Sequence, residues 1–345
     1  MARVLDPEEL EARARALLPA DVYDYYAGGS GREAALRANP EAWRRVTLRP
    51  RVLRDVRQVD TSVTLAGARL PTPVCVAPTG FHHLACPDGE LASAGGAASA
   101  GALYVLSTRS SRRIEDVATA LATGGGRWWF QVYVLRDRGL TEGLVRRAAA
   151  AGAQALVLTA DAPVLGRKRR DRGPGLIADA DFLVNLGPLG DLSVAEQAPD
   201  VGLADIGWLS EISGGLPVMV KGVLRGDDAA ACAASGAAGV IVSNHGGRQL
   251  DAAVPTAAAL PEVAAALAAY PGCEVLVDGG LRSGLDVLRA LSLGARAVLM
   301  GRPVLWALAC GGADGVRELL TGLTADLVHE MALAGVARLS EAAGL

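Results

Sequence analysis

The feature that most constrains this chain is a rhythm that begins after Pro73. Eight short apolar runs, at residues 74–78, 103–107, 128–134, 155–161, 217–222, 239–243, 274–278 and 297–301, alternate with alanine-rich stretches. Helices are predicted over residues 140–150, 227–234, 257–268 and 283–291. Strands that are apolar throughout must be covered on both faces, and alternation with helices achieves this in a parallel sheet. Eight is the number of strands that closes a barrel, so the prediction is an α/β chain folded as a (β/α)8 TIM barrel. A doubly wound open sheet is the alternative topology. Ahead of the barrel, residues 6–26 read as an N-terminal helical segment stopped by Gly28 and Gly29, and residues 40–72 as irregular structure with short strands. The expectation is one domain over residues 1–345: an N-terminal part (1–72), the barrel (73–311) and C-terminal helices (312–345).

The spacing has one anomaly. Between the fourth and fifth runs the gap is about twice a usual βα repeat. The excess, residues 162–204, is rich in Gly, Asp and Pro. A long connection leaving the C-terminal end of a strand reads as a lid or binding loop, with a disordered insertion as the alternative.

Composition narrows the class. With 345 residues, 51% of them hydrophobic, the chain can bury a large core, and a net charge of −3 calls for no nucleic-acid partner. Five scattered cysteines without a C-x-x-C pair fit a reducing compartment with no disulfide framework and no metal site. The amphipathic start lacks a signal-peptide core, and no apolar run is long enough to span a membrane, so a soluble, cytoplasmic protein is expected. Only two of the 34 basic residues are lysines, Lys168 and Lys221; where arginine is so strongly favoured, a retained lysine suggests a need for a compact ammonium.

Barrel active sites sit at the C-terminal ends of the strands. Read only there, the chain presents Pro78-Thr79-Gly80, Ser107, Gln131 with Tyr133, Thr159 with Asp161, Lys221, Ser243 with His245 and Arg248, Asp278 through Arg282, and Gly301-Arg302. The sixth run is the most telling: Ser-Asn-His-Gly-Gly-Arg delivers a proton-accepting imidazole and a carboxylate-clamping guanidinium to one mouth. A structural histidine beside a solvated arginine is the plainer reading of that loop alone. After the seventh and eighth runs, Asp278-Gly279-Gly280-Leu281-Arg282 and Gly301-Arg302 suggest a phosphate cradle built from helix N-termini and arginines; ordinary tight turns are the alternative. Neither G-x-G-x-x-G after the first strand nor a P-loop is present. An elongated phosphorylated cofactor fits this layout. Lys221 suits a flavin, whose anionic reduced ring an ammonium stabilises, with a Schiff-base lysine of a barrel aldolase or lyase as the competing role.

At these residues the chain resembles the FMN-dependent α-hydroxy-acid oxidases and dehydrogenases, from Tyr23 to about Gly335. Ser243 through Asp251 is the most specific stretch, supported by Trp-Phe-Gln-Val-Tyr at 129–133 and Val277-Asp278-Gly279-Gly280; the ending, from Val275 to Trp306, looks most like the actinobacterial hydroxymandelate oxidases. The resemblance implies FMN as cofactor and a 2-hydroxy acid as substrate, S-configured and possible in an aromatic form such as mandelate. It implies a 2-keto acid product, oxygen as acceptor yielding hydrogen peroxide, and a homo-oligomer, tetramer or octamer. A dehydrogenase with another acceptor is the alternative within the family.

It also implies roles. His245 is the base with Asp278 as its partner; Arg248, Tyr25, Tyr133 and Lys168 meet the substrate. Pro78, Thr79, Gly80, Ser107, Gln131, Thr159, Lys221 and Ser243 line the flavin, and Asp278, Gly280, Arg282, Gly301 and Arg302 surround its ribityl chain and phosphate. Gly80, where most oxidases carry alanine, is expected beside the flavin N5 with room for a bulky substrate. Three positions depart from the family pattern. Lys168 replaces a second carboxylate-binding arginine, residues 172–175 replace an Asn-x-Phe, and Arg109 replaces an apolar or aromatic substrate-facing residue and is expected to point to water.

Overall fold

A computed structural model describes residues 7–170, 176 and 184–345. The altered stretch at 172–175 lies outside the described residues. All eight predicted runs form strands: β3 (Val74–Val76), β4 (Tyr104–Leu106), β5 (Trp128–Val132), β6 (Leu156–Thr159), β7 (Val218–Val223), β8 (Gly239–Val242), β9 (Glu274–Asp278) and β10 (Ala297–Met300). Each pairs in parallel with its neighbours, and β10 pairs with both β9 and β3, so the sheet closes and the open-sheet alternative is excluded. Most strands stop short of the predicted end because the last residues of each run leave the ladder to face the mouth.

The helices between strands are α4 (Glu90–Ser99), α5 (Ile114–Thr123), α6 (Arg138–Ala150), α7 (Ala204–Ile212), α8 (Gly226–Ala234), α9 (Thr256–Leu267) and α10 (Gly284–Ser292). The four predicted helices correspond to α6, α8, α9 and α10. Helix α4 was hidden by its glycines. A Cβ at Gly96 would strike the backbone of Ala313, so the glycine permits an approach between helices that a larger residue blocks.

Side-chain alternation splits the barrel strands into two layers. Val74, Val76, Phe130, Leu156, Val218, Val240 and Val277 pack outward with the helices. Cys75, Val105, Trp129, Val157, Met219, Ile241, Leu276 and Leu299 meet one another inside the barrel. A hairpin of β1 (Val63–Leu65) and β2 (Ala68–Leu70) adds Val63, Leu65 and Leu70 to that interior cluster. The inner residues next along six of the strands are Ser107, Gln131, Thr159, Lys221, Ser243 and Asp278, with Ala77 and Gly301 on β3 and β10. The barrel is therefore apolar below and polar at its C-terminal end.

Before the barrel lie α1 (Pro7–Leu17), α2 (Ala20–Ala27) and α3 (Ala34–Arg45). Helix α3 corrects the expectation of irregular structure from residue 40. Pro40 stands inside it, where a missing N–H normally ends a helix. Tertiary contacts override that preference: Asp251, more than 200 residues away, accepts hydrogen bonds from Arg32 N and Ala34 N at 2.6 Å each, while Asn39 and Trp43 are buried. The chain closes with α11 (Arg302–Leu333), kinked at Gly311 and Gly312. Among the described residues no helix is long and apolar enough to cross a membrane.

Candidate functional site

The His245 loop is held in a costly shape. His245 itself has φ of 56°, followed by Gly246 and Gly247 at 61° and 76°; for a histidine, the left-handed region costs about 1–2 kcal/mol. Its backbone is fixed by a hydrogen bond from His245 N to Ser243 Oγ at 3.0 Å. Asn244 is buried in a reciprocal amide pair with Asn39 of α3, 2.8 Å in both directions. At Gly247 a Cβ would lie 2.5 Å from Leu36 N, so only glycine lets α3 brace the loop this closely.

The imidazole Nδ1 sits 3.0 Å from Asp161 Oδ1, and Nε2 faces the Tyr133 hydroxyl at 3.5 Å. This corrects the expected pairing with Asp278. That carboxylate instead receives Lys221 Nζ at 3.0 Å, and Lys221 also donates to Ser243 Oγ at 2.8 Å. The reason is positional. Asp161 lies one inner step beyond Thr159 on β6, and Gly222 leaves space for it, since a Cβ there would stand 2.5 Å from Asp161 Cβ.

Electrostatics follow from these partners. Burial pushes the Asp161 carboxyl up, but the charge and hydrogen bond of His245, with Lys221 nearby, hold it below the usual carboxylate range. Burial likewise opposes the Lys221 charge, and Asp278 and Asp161 outweigh it, raising its pKa. Tyr133 is pushed up to about 12, first by burial, and stays a hydroxyl donor. Lys221 is thus a locked ammonium rather than the free amine that Schiff-base chemistry requires.

Gln131 organises the adjoining wall. Its Oε1 accepts from Ser107 Oγ and Thr108 N at 3.1 Å each, and its Nε2 donates to Thr159 Oγ1 at 3.0 Å. Pro78, Thr79 and Gly80 leave the end of β3 half-buried. The space expected at Gly80 is absent in the direction a methyl would take: a Cβ would meet Arg109 Cβ at 2.9 Å and Arg109 O at 3.1 Å. Arg109 is also not directed into water. It is half-buried, donates from Nη2 to Ala195 O at 2.7 Å, and burial brings its pKa down to about 10.

Two arginines converge on the end of α2. Arg248 Nη1 donates to Tyr25 O and Gly28 O at 2.8 Å each, with its guanidinium carbon 5.3 Å from the centre of the Tyr25 ring. Its hydrogen bonds among the described residues all come from Nη1, with none from Nε or Nη2. Arg302 donates to Tyr26 O at 2.9 Å, Gly246 O at 2.9 Å and Gly28 O at 3.1 Å. Its side chain, expected at the phosphate, is therefore mostly committed to backbone carbonyls. Burial, with Arg248 and Arg282 nearby, brings its pKa down to about 9. Lys168 is half-buried where its backbone bridges Ser30, beside this segment.

The cradle is also less symmetrical than its glycines suggest. At the start of α10, Asp286 accepts from Arg282 N at 2.9 Å, Asp326 accepts from Gly284 N at 2.5 Å, and Ser283 caps Asp286 N at 3.2 Å. Gly280 makes room for Asn39 and Pro40, with a Cβ 2.7 to 2.9 Å from them. At Gly301, before α11, a Cβ would stand in ordinary contact with Thr79 Cγ2 at 3.7 Å and Ala77 Cβ at 3.9 Å, so this turn is less crowded than the one at Gly280.

An FMN molecule fits this donor set. An ammonium, an amide and three hydroxyls line the polar tier, and Asp278 Oδ1 is buried with no partner among the described residues, an acceptor suited to a ribityl hydroxyl. Asp161 was read among the strand-end residues without a role, and Asn39 and Trp43 are supporting residues that motif reading passed over. The signal for Asp161 was available in the inner-row spacing Val157, Thr159, Asp161.

Comparisons with known proteins agree with this geometry. An L-lactate oxidase from Nostoc sp. is 43% identical, covering 96% of this chain and 95% of its own. A 4-hydroxymandelate oxidase from Amycolatopsis orientalis is 45% identical, with 95% and 93% covered. A crystal structure of mandelate oxidase superposes with a TM-score of 0.91 at 45% identity, over 98% of this chain and 97% of that one. The family described as FMN-dependent dehydrogenase matches residues 14–344, and the chain belongs to that family.

Proposed function

We propose that this chain catalyses FMN-dependent oxidation of an (S)-2-hydroxy acid to the 2-keto acid, with oxygen as final acceptor and hydrogen peroxide as by-product. The observation that carries the reading is the His245–Asp161 pair, opposite Tyr133, with Arg248 three residues further along the same loop. Arg248 clamps the substrate carboxylate through Nε and Nη2, and Lys168 adds a point charge. Tyr25 and Tyr133 donate near the carboxylate or hydroxyl. His245 Nε2 removes a substrate proton, and Asp161 steadies the imidazolium. FMN, when bound, supplies the two-electron acceptor. Lys221 would hold positive charge near its ring, the wall from Pro78 to Gly80 with Ser107, Gln131, Thr159 and Ser243 would orient it, and Asp278, Gly280, Arg282, Gly301 and Arg302 would hold the ribityl chain and phosphate.

An aromatic side chain on the substrate is supported by the hydroxymandelate and mandelate oxidase relatives; Gly80 no longer contributes to that reading. We further propose that residues 1–345 act as one domain, in a cytoplasmic homo-oligomer whose five cysteines stay reduced. The test is a visible spectrum of the purified protein before and after anaerobic addition of mandelate, lactate or glycolate. Two flavin bands that bleach with a hydroxy acid are expected. A colourless protein, or bands that no hydroxy acid bleaches, overturns the assignment.

A further inference from the structure

One buried histidine has no part in the chemistry above. His82 is fully enclosed behind the end of β3. Its Nε2 lies 2.6 Å from Thr79 Oγ1, and its Nδ1 lies 2.8 Å from Ser93 Oγ on α4. The backbone N of His82 donates to Glu90 Oε1 at 3.0 Å, which pins the residue from the same side. Ser93 Oγ has two more neighbours, the Glu90 carbonyl at 3.3 Å and the Tyr104 hydroxyl at 2.9 Å.

Counting hydrogens decides the tautomer. A serine hydroxyl has one hydrogen and two acceptor lone pairs. All three contacts at Ser93 are hydrogen bonds only if Ser93 donates to the Glu90 carbonyl and accepts from both Tyr104 and His82. His82 then carries its hydrogen on Nδ1, leaving Nε2 bare. Burial lowers the His82 pKa and His83 adds to this, although Glu90 and the Thr79 backbone carbonyl work the other way, so the ring stays neutral near neutral pH. A bare Nε2 can only accept, so the single Thr79 hydrogen must point at it. Thr79 sits one inner step above Ala77 at the barrel mouth, with its methyl turned toward Gly301.

We infer that His82 is a positioning residue that fixes Thr79 as a pure hydrogen-bond acceptor toward the barrel mouth. Left alone, a threonine hydroxyl rotates and offers a donor or an acceptor to whatever arrives. With its hydrogen committed behind it, Thr79 favours a donor on the bound group, a ring N–H or a ribityl hydroxyl, and disfavours a carbonyl oxygen. The identity of that donor rests on the FMN reading; the tautomer does not.

The tautomer is directly measurable, because the chain has only four histidines. In protein labelled with 15N-histidine, the resonances lost in His82→Gln identify the residue. The expected result is a protonated Nδ1 and a bare Nε2 from about pH 6 to 9. A protonated Nε2, or titration of the ring within that range, overturns the inference whether or not FMN binds.

A second arm uses FMN affinity and flavin midpoint potential. Thr79→Val should weaken FMN binding, or the relative stability of its reduced form, by about tenfold, one hydrogen bond's worth. His82→Leu should match it, His82→Gln should stay near wild type, and the double variant should be no worse than either single one. Loss of oxidised-state affinity places the donor on a group present in both redox states. A change in potential alone places it on the N–H gained on reduction. Additive losses in the double variant would show that His82 does not act through Thr79. If His82→Leu fails to fold, the wild-type tautomer still decides.

Discussion

Two cation–carboxylate pairs stand at the barrel mouth, built from similar parts and fit for different work. Lys221–Asp278 and His245–Asp161 each span 3.0 Å between nearest atoms. In the first, the side chains are 6% and 10% exposed, the ammonium is held by Ser243 as well, and its charge is reinforced. In the second they are 23% and 13% exposed, and Nε2 looks out toward Tyr133. A lysine raised above its ordinary pKa keeps its proton through any working pH, whereas an imidazole can exchange one near neutrality. Under the proposed function, one pair would supply a fixed field and the other a movable proton.

The hardest blow to this contrast falls on the movable proton. His245→Ala should keep the bound-flavin spectrum and lower turnover by about two to four orders of magnitude, read by stopped-flow reduction with substrate. Near-normal reduction would remove His245 from the role of base. Lys221→Met strikes the other pair, leaving Asp278 charged, buried and alone. Stability in denaturant should fall by about 3–5 kcal/mol, and any flavin bound should be harder to reduce. An unchanged midpoint potential would mean that the ammonium does not act on the ring.

The two carboxylates sharpen the division further. Asp161→Asn should slow flavin reduction by about tenfold to a hundredfold, the worth of a charge-assisted hydrogen bond. Asp278→Asn should alter FMN affinity and potential more than proton removal; the reverse pattern would restore the pairing first expected from the family. Asp161 also has a pH signature. Because its folded pKa is lowered, its stabilisation is present above the unfolded value of about 4 and is lost as pH falls through the lower folded value. The stability gap between wild type and Asp161→Asn should therefore close in acid.

The smallest effect is expected beside the pairs, at Lys168. Replacing its point charge by a fork, Lys168→Arg should lower the Michaelis constant by about twofold to tenfold. No change would place Lys168 outside the carboxylate subsite.

Much of this was legible along the chain. Strand number, parallel order and the polar tier at the mouth follow from local apolar runs and the alternation of side chains, which depend on residues only a few positions apart. His245, Arg248 and Lys221 were visible for the same reason, since each lies near the C-terminal end of a strand. Partnership was not. Whether His245 meets Asp161 or Asp278 depends on which inner-row positions level up around a closed barrel, and on Gly222 making space for Asp161. Glycines misled in a similar way. Gly280 and Gly80 looked like openings for a ligand, yet the places their side chains would occupy are filled by Asn39 with Pro40 and by Arg109. Helix α3 formed despite Pro40 because Asp251 and Asn244 support it from far along the chain. Sequence alone thus determined which chemical groups reach the mouth, because strand periodicity is local. Only the tertiary structure decided which of them touch, because closing the barrel sets distances between residues that no local pattern relates.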